Sequence, residues 1–293
     1  MAPDMNSLLP DTHAYEAVLC ALRRVPGIAA SDLAATHIFR LKGLSNLNYL
    51  VRLPTGGLVV RLAQPAPGSY ANREDEIAAA RLGERLGIAP RVVFAEAASG
   101  LLVSKFVEAA RAPAHEPGAL ARMGAALARL HRCGETLPGR YDIFAVIARY
   151  EALLRATGRA LPHWPPRVAV KRAEAEAFLK TAARLLAPCH NDPVPENFLD
   201  LNDRVLLIDW EYAGMNDPAF DLAYLSLEAE LTPDAERALL TAHGEVETHA
   251  PLLPTYKFLI CVMSALWGRL HEPGAGWKAW TARREAKAVE LAA

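Results

Sequence analysis

His190-Asn191-Asp192-Pro193-Val194-Pro195-Glu196-Asn197, followed closely by Leu206-Leu207-Ile208-Asp209-Trp210-Glu211, is the stretch of this 293-residue chain on which its reading turns. It offers an acid, an amide and a second acid, with Asp209 twelve residues beyond Asn197. Phosphoryl-transfer enzymes use this spacing to hold a hydroxyl and Mg·ATP. Pro193 and Pro195 keep the first segment out of helix, and the apolar run 205–208 reads as a strand that ends at Asp209. On this reading Asp192 orients an accepting hydroxyl and takes its proton. Asn197 supplies a neutral oxygen and Asp209 a charged one, the ligand types that Mg²⁺ prefers. Singly, the three residues have plain alternatives as a turn acid, a loop amide and a strand-end cap. It is their conjunction that points to chemistry.

Outward from these motifs, composition sets bounds. Hydrophobic residues make up 52% of the chain and the formal net charge is −1, so a large core is expected and whole-chain disorder is not. No basic block or stripe speaks for nucleic acid or anionic lipid. Cysteines stand at positions 20, 133, 189 and 261, none in a C-x-x-C pair, which predicts buried free thiols in a reducing compartment. The first residues carry acids and no unbroken apolar run, unlike a signal peptide. No run of eighteen apolar residues predicts a membrane span. A cytoplasmic protein is expected.

The local patterns divide the chain. Residues 12–25 have helical periodicity with Tyr15, Val18, Leu19 and Leu22 on one face. The runs 37–41, 48–53 and 58–62, the last two separated by Pro54-Thr55-Gly56-Gly57, predict a three-strand antiparallel meander. Residues 72–87 predict a helix with acids in its first turn and Gly87 beyond its end. Two more strands follow, at 91–95 and 101–106. Helices are then expected at 118–132, 142–157 and 172–187. A β-hairpin at 198–208 interrupts them, and they resume at Asp221, 233–245 and 254–271. The expected fold is α+β: an N-terminal lobe, 1–107, with an antiparallel sheet and one main helix, and a larger, mostly helical lobe, 108–293. Two such lobes put a cleft between them, and domain interfaces are favoured ligand sites.

CHNDPVPENFL and LLIDWEYAGMNDPAFDLA resemble the choline/ethanolamine kinase and aminoglycoside phosphotransferase superfamily, the small-molecule branch of the protein-kinase-like fold. Weaker likeness covers GLSNLNYLVRL, NREDEIAAARLGERLGIAP and MGAALARLH, so the resemblance runs through nearly the whole chain from about residue 40. It implies an ATP- and Mg²⁺-dependent kinase with Asp192 as catalytic base, Asn197 and Asp209 as metal ligands and Glu211 as an acid near the metal. It places the nucleotide loop on Gly43, Leu44, Ser45, Asn46 and Asn48, where a plain hairpin turn is the alternative. It matches Arg61 to the strand cation that grips phosphates and Glu76 to its ion-pair partner. Phe106 and Val107 fall in the segment that presents backbone groups to adenine. Asp221 is matched to a brace of the catalytic loop, with a further capacity to cap the helix that follows, and His190 is expected to support that loop.

Only twelve residues separate Asp209 from Asp221, too few for the long segment with which protein kinases hold a peptide. A small-molecule alcohol is therefore the expected acceptor. The resemblance points to Glu228 and Trp267 as acceptor-binding residues, since a quaternary ammonium is held by aromatic faces and a carboxylate. Choline kinases often carry a second tryptophan where this chain has Leu270, and Tyr224, Trp277 and Trp280 are further aromatic candidates. Choline or a related amino alcohol is the first expectation. Another acceptor (an aminoglycoside, thiamine or a sugar) is the second, and a non-catalytic nucleotide-binding protein of the same fold is the third.

Overall fold

Pro54 and Thr55 close a hairpin in which Leu53 faces Gly56 and Asn46 faces Ala63. Gly56 has a φ of 121°, a conformation that a side chain would strain. The computed structural model describes residues 12–41, 46–64, 71–108, 110–112, 116–182, 185–271 and 274–293. In chain order these form α1 (Thr12–Leu22), α2 (Ala30–Ala34), β1 (His37–Arg40), β2 (Asn46–Leu53), β3 (Gly56–Ala63), α3 (Arg73–Arg85), β4 (Val92–Glu96) and β5 (Leu101–Lys105). There follow α4 (Pro117–His131), α5 (Ile143–Ala156), α6 (Pro166–Thr181), β6 (Ala187–Cys189), β7 (Phe198–Asp200), β8 (Val205–Leu207) and β9 (Gly214–Asn216). The chain ends with α7 (Pro218–Glu228), α8 (Pro233–His243), α9 (Val246–His249), α10 (Leu253–Leu270) and α11 (Gly274–Leu291).

The first five strands make one antiparallel sheet in the order β1-β2-β3-β5-β4. Its inner face, with Ile38, Tyr49, Val51, Val60 and Val103, forms a core with Val18 and Leu22 of α1. A second, larger core fills the helical part and reaches back to take in Ala79, Leu82 and Ile88 of the α3 region. The helix α3 is capped by Asn72, whose Oδ1 accepts from Glu74 N at 2.9 Å and Asp75 N at 3.4 Å, and three acids in its first turn favour the helix dipole. Gly83 is the point of closest approach: a Cβ there would lie 2.6 Å from Trp210 Cζ2. So α3 is seated directly on the residue after Asp209, and only glycine lets it come so near.

Three expectations are corrected. The helix placed at 172–187 is α6, Pro166–Thr181. Proline at its start supplies the φ a first turn needs, and Ala187, preceding Pro188, is turned away from helix and into β6. The helix expected to begin at Asp221 begins at Pro218 and is capped by Asp217, which accepts from Ala219 N at 2.9 Å; Asp221 is inside it and is not its cap. The cysteines are all unpaired, and Cys189 and Cys261 are buried, but Cys20 is exposed on α1.

The helix α11 has no counterpart among the expected elements. It lies along α10, and a Cβ on Gly268 of α10 would fall 2.2 Å from Thr281 Oγ1 of α11. The stretch Val246–Leu270 is long and apolar enough to cross a membrane by length and composition. Here its apolar side chains, Phe258 through Val262 and Leu266 among them, are buried in the core of the helical part.

Candidate active site

Two loops meet beneath α3, and each turns on a left-handed residue. Asn191 has φ 65° and Asp209 φ 67°, positions that Asn and Asp occupy more readily than other side chains. Asn191 is locked on every side. Its N–H donates to Asp221 Oδ1 at 2.8 Å, its Nδ2 donates to Tyr212 O at 2.9 Å, and its Oδ1 accepts from Asn216 Nδ2 at 2.8 Å. His190 N donates to Asp221 Oδ2 at 2.8 Å, and its ring Nε2 lies 3.0 Å from Ile208 O, which ties this loop to the strand end before Asp209. Asp221 is fully buried, and His131 Nε2 adds a third contact to its carboxylate at 3.0 Å. The loop that carries Asp192 is thus fixed by one acid thirty residues downstream of Asn191.

The structure brings Asp192, Asn197, Asp209 and Glu211 together. Asn197 Nδ2 donates to Asp192 O at 2.9 Å and to Asp192 Oδ2 at 3.3 Å, which leaves the Asn197 amide oxygen as an acceptor. Burial first, and then the nearby Asp209 charge, push the Asp192 carboxyl well above the usual carboxylate range, against the pull of a hydrogen bond from Tyr224. Asp209 is raised to about 7 by burial, Glu211 and Glu76, with Arg61 and Arg73 pulling the other way. Among the described residues no arginine or lysine forms an ion pair with Asp192 or Asp209. A set of oxygen ligands this crowded with like charge fits a hard divalent cation such as Mg²⁺.

On the sheet side, Gly43, Leu44 and Ser45 lie outside the described residues. Asn48 and Arg61 face each other across β2 and β3. Arg61 is buried, ion-paired to Glu76 through Nη1, and donates from Nη2 to Gly100 O at 3.1 Å. Its Nε is buried without a partner among the described residues. Glu76 Oε2 also takes Arg73 Nη1 at 2.8 Å, and the same Arg73 nitrogen stands 3.5 Å from Glu211. Asn46 completes the chain by donating to Glu211 Oε2 at 3.1 Å. A continuous polar line therefore runs from the sheet to the acid two residues past Asp209. Phe106 N donates to Gly57 O at 3.0 Å, so that N–H is committed within the sheet; Val107 follows it.

On the far side of Asp192, Tyr224 and Glu228 are four residues apart on one face of α7. Tyr224 lies close enough to Asp192 to pull its carboxyl down, and Glu228 lies one turn further on. Its Oε2 accepts from Arg284 Nη2 at 2.6 Å. Trp267 is half-buried and is surrounded by rings: His271 stacks on it at 4.2 Å, and Trp277 and Trp280 of α11 stand at 5.1 and 5.9 Å. Leu270 is buried in the core. The aromatic neighbours of Trp267 therefore come from α11 and His271, not from Leu270.

Behind Asp221 a histidine chain leads outward. His131 Nδ1 is 3.0 Å from His243 Nε2, and the His249 ring meets His243 edge-on at 5.0 Å. His131, Cys189 and Asp221 offer ligand atoms within 4.8 Å of one another, but these are already hydrogen-bonded: His131 to Asp221, and Cys189 Sγ to Asn216 O at 3.5 Å. We read them as a brace and not as a metal centre. Burial first, then the His131, His249 and Arg132 charges, lower His243 to about 3. A base whose folded value is depressed contributes stability that is present above its unfolded value and is lost as pH falls towards the folded one. Acidification from pH 7 to pH 5 should therefore cost about 2 kcal/mol through His243 alone, taking an unfolded value of about 6.5. Denaturant melts at both pH values should show wild type losing that much more than H243Q; equal losses would refute the account.

Sequence reasoning missed Arg73, Tyr224's contact with Asp192, His131 and Arg284. Arg73 stands three residues before Glu76 in a helix opening, a spacing that permits a pair. His131 ends an amphipathic helix. Arg284 left no local signal, because its partner is 56 residues away.

Over residues 37–258 the chain matches the phosphotransferase enzyme family, APH. Protein LicA of Haemophilus influenzae is 28% identical over 244 residues, which cover 78% of this chain and 72% of that protein. A choline/ethanolamine kinase family protein from Mesorhizobium loti has a crystal structure that is 30% identical, with a TM-score of 0.80 and 94% of each chain covered. Choline kinase LicA from Streptococcus pneumoniae shares the fold with a TM-score of 0.79 at 24% identity, over 95% of this chain and 99% of that one. With an antiparallel sheet ahead of a larger helical part, and a match over most of its length, this chain belongs to the phosphotransferase enzyme family and has its protein-kinase-like α+β fold.

Proposed function

We propose that the chain transfers the γ-phosphate of ATP, with Mg²⁺, to the hydroxyl of choline or a related amino alcohol. The observation that carries the transfer is the meeting of Asp192, Asn197 and Asp209 on loops that Asp221 and His190 hold rigid. We assign residues 1–107 to nucleotide binding and 108–293 to catalysis and acceptor binding. Asn46, Asn48, Arg61, Glu76 and the Phe106-Val107 segment would face the nucleotide together with Gly43 and Ser45. Asn197 and Asp209, with Glu211 close by, would hold the cation. A bound Mg²⁺ supplies neutralisation of the triphosphate charge. Asp192 accepts the proton of the acceptor hydroxyl and keeps that oxygen aimed at phosphorus. Tyr224 orients Asp192 from the other side.

The choline-type acceptor draws on the 30% identical Mesorhizobium loti relative and on the tryptophan cluster, whose faces suit an ammonium head. One observation favours another small alcohol: Glu228, the acid expected to meet the ammonium, is already paired with Arg284. The four unpaired thiols suit a reducing, cytoplasmic setting.

The test is an ADP-release screen with Mg·ATP over choline, ethanolamine, thiamine, kanamycin and simple sugars. Choline or ethanolamine should give the highest kcat/KM, by at least ~10-fold. Preference for kanamycin or a sugar would move the acceptor assignment and leave the transfer chemistry. No acceptor-stimulated ADP release, with ATP still bound, would favour a nucleotide-binding role without catalysis.

A further inference from the structure

Arg284 reaches from α11 across the helical part to Glu228 of α7, Nη2 to Oε2 at 2.6 Å, and both side chains are nearly withdrawn from solvent, 12% and 13% exposed. Its guanidinium carbon also stands 5.3 Å from the centre of the Trp280 ring. The other Glu228 oxygen, Oε1, is buried with no partner among the described residues. A carboxylate and an aromatic face are what a cationic ligand head seeks, and here a side chain of the protein's own already supplies the cation. Glu228 is one helical turn from Tyr224, which neighbours Asp192, so this internal pair borders the place where an acceptor hydroxyl would be held.

We propose that Arg284 is a specificity-determining residue: by pairing with Glu228 against Trp280, it sets how much positive charge the acceptor is allowed to carry. The inference rests on the acceptor side assigned under Proposed function. With Arg284 in place the Glu228 subsite is close to neutral. An acceptor with one delocalised charge is then held mainly by the tryptophan faces, while a polycation meets a guanidinium and an acid whose charge is already compensated. Without Arg284, Glu228 would stand as an uncompensated acid and draw cations strongly. Without Glu228, Arg284 would repel them.

The two losses therefore have opposite signs, which a purely structural role would not produce. The experiment compares choline with its uncharged isostere 3,3-dimethylbutan-1-ol, as the ratio of their kcat/KM values at about pH 8, above the carboxylate range. R284Q should raise the choline-to-isostere ratio at least ~10-fold, mainly through KM, while E228Q should lower it by a similar factor and R284K should hold it within about threefold. The KM for ATP should not move in any of them. A ratio unchanged in R284Q and E228Q, or shifted in the same direction in both, overturns the proposal. If R284Q fails to fold, R284M is read in its place: a raised ratio supports the proposal, and an unchanged or lowered one overturns it. Turnover of neither acceptor by the wild-type chain would end the acceptor reading and this inference together. Turnover with an unmoved ratio would end this inference only.

Discussion

Asp192→Asn should lower kcat at least ~100-fold while the affinity for ATP stays within about twofold. The change keeps the side chain's shape and leaves an oxygen to accept from Asn197 Nδ2, the contact that holds it in place. What it removes is the ability to take a proton. It also removes an acid that folding pushes well above its ordinary range, through burial first and then the Asp209 charge, at a cost to stability. The variant should therefore melt higher than wild type even as it loses activity. That pairing separates a catalytic role from a structural one, because a structural acid would lose both. Single-turnover kinetics and a melting curve on the same preparation settle it, and an unchanged kcat would remove Asp192 from the reaction.

Asp209→Asn should be the second large loss, ~10²–10³-fold in turnover at saturating substrate, with the Mg²⁺ needed for half-maximal rate raised at least ~10-fold. Asparagine tolerates the left-handed backbone found at this position, φ 67°, so D209N should fold as well as wild type. Alanine should cost about 1 kcal/mol more, through strain alone. A second signature follows from the carboxyl's upward displacement to about 7. Below that value the metal-free acid holds a proton that a cation must expel; above it there is none to expel. Mg²⁺ binding should thus release close to one proton per site at about pH 6 and far less at about pH 8.5. Calorimetry in buffers of different ionisation heat measures this directly. Full turnover by D209N, or proton release without this pH dependence, would refute the assignment.

Much of this arrangement was legible because its signals are local. The Pro-Thr-Gly-Gly turn, the alternating runs either side of it and the acid-capped helix at Asn72 each decide their structure within a dozen residues. The two motifs single out Asp192, Asn197 and Asp209 by residue type and spacing, and the fold brings the three together. What escaped was whatever depends on distant partners. Arg73 reads as an ordinary solvated helix residue until Glu211 and Asn46 are folded against it, 138 and 27 residues away. Asp221 looked like a cap because it opens an apolar run; Asp217, a turn earlier with proline behind it, is the better cap and takes the position. The register of α6 was lost to the same cause, a proline whose helix-starting role competes with its helix-breaking one. The helix α11 hides a guanidinium that has meaning only beside α7.

The left-handed turn at Asn191, tied by its amide to α7, by its side-chain nitrogen to the loop before β9 and by its side-chain oxygen to β9, means that this segment acquires its working shape during folding. Little ordering is left for substrates to impose there. Protease nicking and amide exchange at 190–192 should be as slow in the empty enzyme as in the loaded one, so ligand-linked protection, where it occurs, should be sought in other segments.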